Sequence, residues 1–352
     1  MIKRIHGGNY LKRNIIDFSV NISPLGLPEG VRSMISKETG AILRYPEPAS
    51  ERLKSRLAAL HNTGTENIIV GNGSIELIYL IPRALRIKKA LIITPTFSEY
   101  EFALKTNGST PVFFNTCEQD DFRVDCTKIS GSLPRLGAIF LCNPNNPTGY
   151  LLQSDEVMRL LHVSRKRGSI LILDEAFIGF TQPLRERIVV SEAVKAGSLI
   201  ILRSLTKLFA IPGLRLGYAI GHKKIIEKIS GLQYPWNVNG LAQVAGLKIL
   251  ANKDYMNQAR EFIAKQRRHM FEGLNNIKEL KAYPSSANFI LCKLQNTSIL
   301  NSKELVRRLL RDGIYIRDCS DFRGLSDRFF RVAVKKRDEN NRLIKCVKRA
   351  LL

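Results

Sequence analysis

The chain has 352 residues, 44% of them apolar and 24% charged, with a formal net charge of +24. This length suits one large unit of two subdomains around a buried core, and no apolar run approaches the ~20 residues needed to cross a bilayer. The basic residues are spread over the whole chain, with no basic tail and no stripe interleaved with aromatics, so the charge reads as a solvated surface that steers anionic substrates and not as a nucleic-acid interface.

The first six residues, Met1 to His6, lack the apolar core of a secretion signal, and a cytoplasmic protein is expected. The N-terminal forty-odd residues are rich in Gly, Pro and Asn and are expected to pack on the C-terminal part. From about residue 66 to 252, strand-like and helix-like segments alternate. Residues 68–70 form the first strand and 75–85 a helix; 90–93 and 97–105 repeat that pair. Short apolar strands follow at 111–114, 137–142, 170–173, 199–202 and 217–220. Residues 154–167 make an amphipathic helix, with Ser154 as N-cap and Gly168 just past its end. Such alternation predicts an α/β fold with a mostly parallel sheet covered on both faces. After residue 253 the pattern becomes α+β, with a long polar helix over 254–274, strands at 289–292, 314–317 and 329–334, and helices at 302–310 and 338–351. The expected division is a large domain over 46–252 and a small one made of 1–45 and 253–352. The six cysteines are scattered, with no Cys-x-x-Cys pair and no His cluster beside them, so reduced thiols and no metal are expected.

The informative motifs fall at the carboxyl ends of the expected strands, where open α/β sheets bind ligands. Lys207 follows the apolar run 197–202 and lies among Ser204, Thr206, Arg203 and Arg215. Nearby cations and burial lower an amine's pKa and make it nucleophilic. Asp174 closes the apolar run 169–173 and is a carboxylate able to face a ring nitrogen. Gly71-Asn72-Gly73-Ser74 precedes a helix beginning at Ile75, the small-residue approach of an anion site. With Ser204, Thr206 and Arg215 it forms a phosphate cup. The rigid turn Asn143-Pro144-Asn145-Asn146-Pro147-Thr148-Gly149 can aim Asn146 at a ring oxygen. Phe97, after Thr94-Pro95-Thr96, either lies flat on such a ring or belongs to the core. A nucleophilic lysine, an acid for a ring nitrogen and a Ser/Arg cradle are together what pyridoxal 5'-phosphate requires.

In this order, Asn146-Pro147-Thr148-Gly149, Asp174, Ser204-x-x-Lys207 and Arg215 resemble the fold-type I pyridoxal-phosphate superfamily, the aspartate aminotransferase-like group, over essentially the full length. The resemblance implies a large domain with a seven-stranded, mostly parallel sheet, a small α+β domain and a homodimer with sites at the interface. Within that group the chain is similar to histidinol-phosphate aminotransferases. It is more similar to threonine-phosphate decarboxylases of cobalamin synthesis through His6-Gly7-Gly8-Asn9, residues 17–26, Arg44-Tyr45-Pro46, Asp174-Glu175-Ala176-Phe177, residues 235–239 and Phe330-Arg331-Val332-Ala333. The aminotransferases usually carry Tyr where this chain has Phe177, which donates no hydrogen bond. The resemblance further implies that Arg317 and Arg331 anchor a small phosphorylated amino acid. It gives His6, Gly7, Gly8 and Asn21 the closing of the phosphate end, and has Tyr45 reach the cofactor phosphate of the neighbouring subunit. Three alternatives stay open on the sequence: a histidinol-phosphate aminotransferase, an L-serine O-phosphate decarboxylase, and a non-catalytic DNA-binding protein that kept the fold.

Overall fold

The computed structural model describes residues 7–8, 14–132, 137–181, 186–295, 298 and 300–351. The expected site residue His6, and Asn9 of the same motif, lie outside the described residues. In chain order the strands are β1 (Ile16–Asp17), β2 (Ile68–Asn72), β3 (Lys89–Thr94), β4 (Thr110–Asn115), β5 (Ala138–Cys142), β6 (Ile170–Asp174), β7 (Leu199–Ser204), β8 (Leu216–Gly221), β9 (Leu280–Ala282), β10 (Phe289–Leu294), β11 (Ile314–Tyr315), β12 (Arg317–Asp318) and β13 (Phe329–Ala333).

Strands β2 to β8 build one seven-stranded sheet in the order β2-β8-β7-β6-β5-β3-β4. The pairs along β4-β3-β5-β6-β7 are parallel, and β8 runs against both its neighbours, β7 and β2. The apolar runs explain this layer. Strand side chains alternate between faces, so Leu171 and Leu173 enter one core cluster with Ile139 and Ile201, while Ile172 enters the other with Phe140 and Ile200. Both faces are covered, which is the condition under which parallel strands become continuous apolar runs. Each such side chain, fully buried, contributes roughly 1.5–3 kcal/mol.

The C-terminal part holds the antiparallel sheet β12-β13-β10-β9. The N-terminal segment joins it, as expected from sequence: β1 pairs in parallel with β11, and the Ala333 N–H donates to the Phe18 carbonyl at 2.8 Å. The expected single strand over 314–317 is corrected to two. The chain changes partner at the buried Ile316, with β11 on β1 and β12 on β13. The helix Ser154–Lys166 is capped by Gln153 and not by Ser154, because Glu156 reaches back and accepts from the Gln153 backbone N–H at 2.7 Å. Gly168, just past that helix, has φ +66°, as its expected place demands. The helix expected over 97–105 runs Glu99–Thr106, which leaves Phe97 ahead of it. No helix of the described residues is long and apolar enough to cross a membrane.

Candidate active site

Strands β5, β6 and β7 end side by side: Cys142 is in register with Asp174, and Asp174 with Leu202. The chain beyond each end supplies the chemistry. Asp174 is buried, its Oδ2 accepting from the Tyr100 hydroxyl at 2.7 Å and its Oδ1 from the Ala176 N–H at 2.9 Å. Burial pushes its carboxyl above the ordinary range, against the Tyr100 hydrogen bond and the Lys207 charge. A positive partner facing Asp174 would relieve that cost.

Lys207 lies three residues beyond β7. Its Nζ donates to Ser204 Oγ at 3.0 Å, and Ser204 Oγ is 2.8 Å from Thr206 Oγ1. Burial pulls its ammonium down to about 8, Asp174 opposes the shift, and Arg215 adds to it. An amine with that value is partly uncharged near neutrality and is a competent nucleophile. Nζ stands 6.0 Å from the centroid of the Phe177 ring, which packs edge-on against Phe289.

The segments expected to form a phosphate cup approach one another at Gly73 and Arg215. Gly71 is in register with Gly217 of β8, and the helix Ser74–Ala84 begins after Gly73 at φ +74°. A Cβ on Gly73 would stand 3.0 Å from Arg215 Nη2, and one on Gly217 only 2.3 Å from the Ser74 backbone nitrogen. The helix N-terminus, with its unpaired N–H groups, thus approaches β8 only because position 217 has no side chain. Gly217→Ala is expected to cost about 1–3 kcal/mol by overpacking, read as a lower denaturant midpoint, together with weaker retention of a phosphate-bearing ligand.

A cavity of ≈ 290 Å³ opens in front of Lys207. Thr206, Arg215, Asn146 and Phe97 line it on the large-sheet side, and Gly7, Asn21, Arg317 and Arg331 on the other. Arg317 and Arg331 come together because β12 and β13 pair them directly. Arg331 Nη1 donates to Asn146 Oδ1 and Nη2 to the Ser19 carbonyl at 2.9 Å. Among the described residues its Nε is buried with no partner, as is Asn21 Oδ1. Burial pulls the Arg331 guanidinium down to about 10. Buried polar atoms without partners are costly; here they mark where a ligand's polar groups would dock. With its oxygen on Arg331, the Asn146 amide has its nitrogen to offer a ring oxygen.

Other expected residues stand further out. The Gly8 N–H donates to Ser19 Oγ at 2.8 Å. Tyr45 does not line the cavity; it is 83% exposed and packs on Trp236 with ring centroids 4.9 Å apart. A larger cavity of ≈ 730 Å³ lies beside the buried Glu175–Arg203 ion pair and is not lined by Lys207, unlike the smaller one. Sequence reasoning missed Tyr100, Ser19 and the cavity residue Phe322. Tyr100 follows Phe97 by three residues, a spacing that puts both on one side of a helical turn, and that was the available signal.

A bound pyridoxal phosphate fits this arrangement: a lysine whose amine is partly uncharged near neutrality, a carboxylate for a ring nitrogen, a glycine-lined helix N-terminus with Arg215 for a phosphate, and orphaned polar atoms beyond. The model of the aminotransferase class I and II family matches residues 13–347. The chain is 40% identical to a Caldanaerobacter subterraneus subsp. tengcongensis protein provisionally named threonine-phosphate decarboxylase, covering 97% of this chain and 93% of that one. It is 32% identical to the threonine-phosphate decarboxylase of Salmonella typhimurium, covering 98% and 96%. The crystal structure of the histidinol-phosphate aminotransferase from Clostridium acetobutylicum superposes with a TM-score of 0.86 at 33% identity, covering 94% and 97%.

Proposed function

This chain belongs to the aminotransferase class I and II family, and we propose that within it the protein is a pyridoxal-phosphate-dependent decarboxylase. It converts L-threonine O-3-phosphate to (R)-1-amino-2-propanol O-2-phosphate and carbon dioxide, a step toward the nucleotide loop of cobalamin. The observation that carries this reading is the 40% identity over 97% of the chain to a threonine-phosphate decarboxylase relative. Phe177 supports it: the ring beside Lys207 offers no hydroxyl to a cofactor oxygen, unlike the Tyr usual in the resembled aminotransferases.

When bound, pyridoxal phosphate supplies an aldehyde for amines and a ring that accepts the electron pair of a breaking α-carbon bond. Lys207 would hold the cofactor through Nζ and is the group placed to return a proton to the substrate α-carbon. Asp174 would hold a proton on the cofactor's ring nitrogen. Gly73, Ser74, Ile75, Ser204, Thr206 and Arg215 hold the phosphate, and Asn146 and Phe97 orient the ring. Arg317 and Arg331 bind the substrate's anionic groups, with Gly7, Gly8 and Asn21 at the phosphate end. Only the bond normal to the ring overlaps its π system, so the anchoring decides the reaction. Arginines that leave the carboxylate upright favour loss of carbon dioxide; arginines that hold it in plane favour C–H cleavage.

The large domain spans 46–252 and the small one 1–45 with 253–352, a division supported by the seven-stranded sheet lying within 68–221 and the four-stranded sheet within 280–333. The working form is a cytoplasmic homodimer in which Tyr45 serves the neighbouring site. Its exposed aromatic pair with Trp236, beside exposed Ile42, Leu43 and Tyr234, supports such a contact.

Purified protein given threonine phosphate is expected to release one carbon dioxide per substrate with no need for 2-oxoglutarate. Glutamate formed from histidinol phosphate and 2-oxoglutarate would establish the aminotransferase reading instead. Free threonine is expected to react about 10⁴-fold less well, because a site built for a polar group rejects the analogue lacking it.

A further inference from the structure

The loop between β12 and β13 places an acid on an arginine proposed to bind substrate. Asp321 Oδ2 is 2.7 Å from Arg317 Nη2, and the Asp318 carbonyl accepts from Arg317 Nη1. The next residue, Phe322, lines the cavity with its ring centroid 5.1 Å from the Arg317 guanidinium carbon. Arg323 then turns away from the cavity. Its guanidinium carbon is 3.8 Å from the centroid of Phe113 on β4, and its Nη2 is 3.3 Å from Glu101 of the helix Glu99–Thr106. Three consecutive residues thus tie the arginine, the cavity wall and the large sheet together.

Arg317 is buried, and a guanidinium cannot shed its charge to escape burial. A buried guanidinium is costly without an opposite charge, and Asp321 brings one to 2.7 Å. Asp321 also acts on Arg331, where it offsets part of the effect of burial. A substrate with a carboxylate and a phosphate brings anions of its own. Two anionic groups sharing one guanidinium repel each other, and Asp321, being partly exposed, is the one that can turn out to water.

We propose that Asp321 is a displaceable counterion, an internal ligand that holds Arg317 in place and that the substrate's anionic group must replace. It weakens binding of stray inorganic anions and of the phosphorylated product, and its displacement moves the loop that Arg323 clamps to Glu101 and Phe113. The inference rests on the reading of Arg317 as a substrate anchor. Asp321 is a positioning residue and touches no reacting atom.

Asp321→Asn keeps the size and an acceptor oxygen while removing the charge. On cofactor-loaded protein, calorimetric titration with inorganic phosphate is expected to show about 5–30-fold tighter binding than wild type. The gain should vanish when Arg317→Ala is added. KM for threonine phosphate should fall by a similar factor, with kcat moving less, and inhibition by product should strengthen. Asp321→Ser, which cannot replace the acid sterically, should shift phosphate binding the same way. Unchanged or weaker phosphate binding in both variants, or a gain that survives Arg317→Ala, overturns the proposal. The phosphate titration needs no turnover, so it is separable from the decarboxylase reading, which fails on its own if wild type releases no carbon dioxide.

Discussion

Lys207→Ala is expected to abolish turnover and the absorbance of protein-bound cofactor together. Among the described residues the amine is the only lysine lining the cavity, and on the proposed assignment two jobs end with it. One is covalent retention of the cofactor; the other is proton return to the substrate, a role whose loss alone costs about 10²–10⁴-fold. The pH dependence of loading in wild type follows from the same side chain. Its ammonium is pulled from the ordinary lysine range to about 8, first by burial and then by Arg215, with Asp174 opposing. The uncharged amine is the form that attacks an aldehyde, so covalent capture should rise with pH through about 8 and level off above it. Borohydride reduction at pH 7 and pH 9, followed by peptide mapping, measures it. A pyridoxyl group on any other lysine, or activity retained in Lys207→Ala, contradicts the assignment.

The parts of this site that sequence made legible are those where one residue type follows one local pattern. Lys207 and Asp174 each close or follow an apolar run of a buried parallel strand, and such runs are readable because both faces of the sheet are covered. The Gly71-Asn72-Gly73-Ser74 turn was legible as small residues ahead of a helix, and the structure gives Gly73 the positive φ that favours glycine. Partnerships across long sequence separations were not. Arg317 meets Arg331 through strand register, and Arg331 meets Asn146 across 185 positions; no local periodicity encodes either. The split at Ile316 was hidden because 314–317 alternates like one strand while its two halves have different partners. The helix Gly240–Ala251 carried no amphipathic contrast to read, since the segment is apolar on almost every face, although the buried Ala242, Ala245, Ile249 and Leu250 share one. Asp321 lies four residues after Arg317, a spacing that would mean an ion pair on a helix but has no fixed meaning in the loop where it occurs.

Asp174→Asn separates chemistry from folding, because its two consequences have opposite signs. The acid is buried at the end of β6, and burial raises its pKa above the ordinary carboxylate value. A carboxyl raised in the folded state is titrated first in the unfolded chain. The folded form then holds more protons over that window, and stability falls as pH rises through it. In cofactor-free protein the ionised form of Asp174 is therefore a burden. Asn can still accept from Tyr100 or from the Ala176 N–H, so the variant should unfold at the same temperature as wild type or higher. In loaded protein, on the proposed assignment, the balance reverses, since the carboxylate would face a ring nitrogen and keep its proton in place. An electrostatic partner removed from developing charge typically costs about 10²–10³-fold in kcat, and that loss is expected here with KM changing far less. Thermal melts of free and loaded protein, run beside the carbon dioxide assay, give both signs in one series. A cofactor-free form markedly less stable than wild type would make Asp174 a structural acid, and a loaded variant turning over at the wild-type rate would remove it from the ring nitrogen.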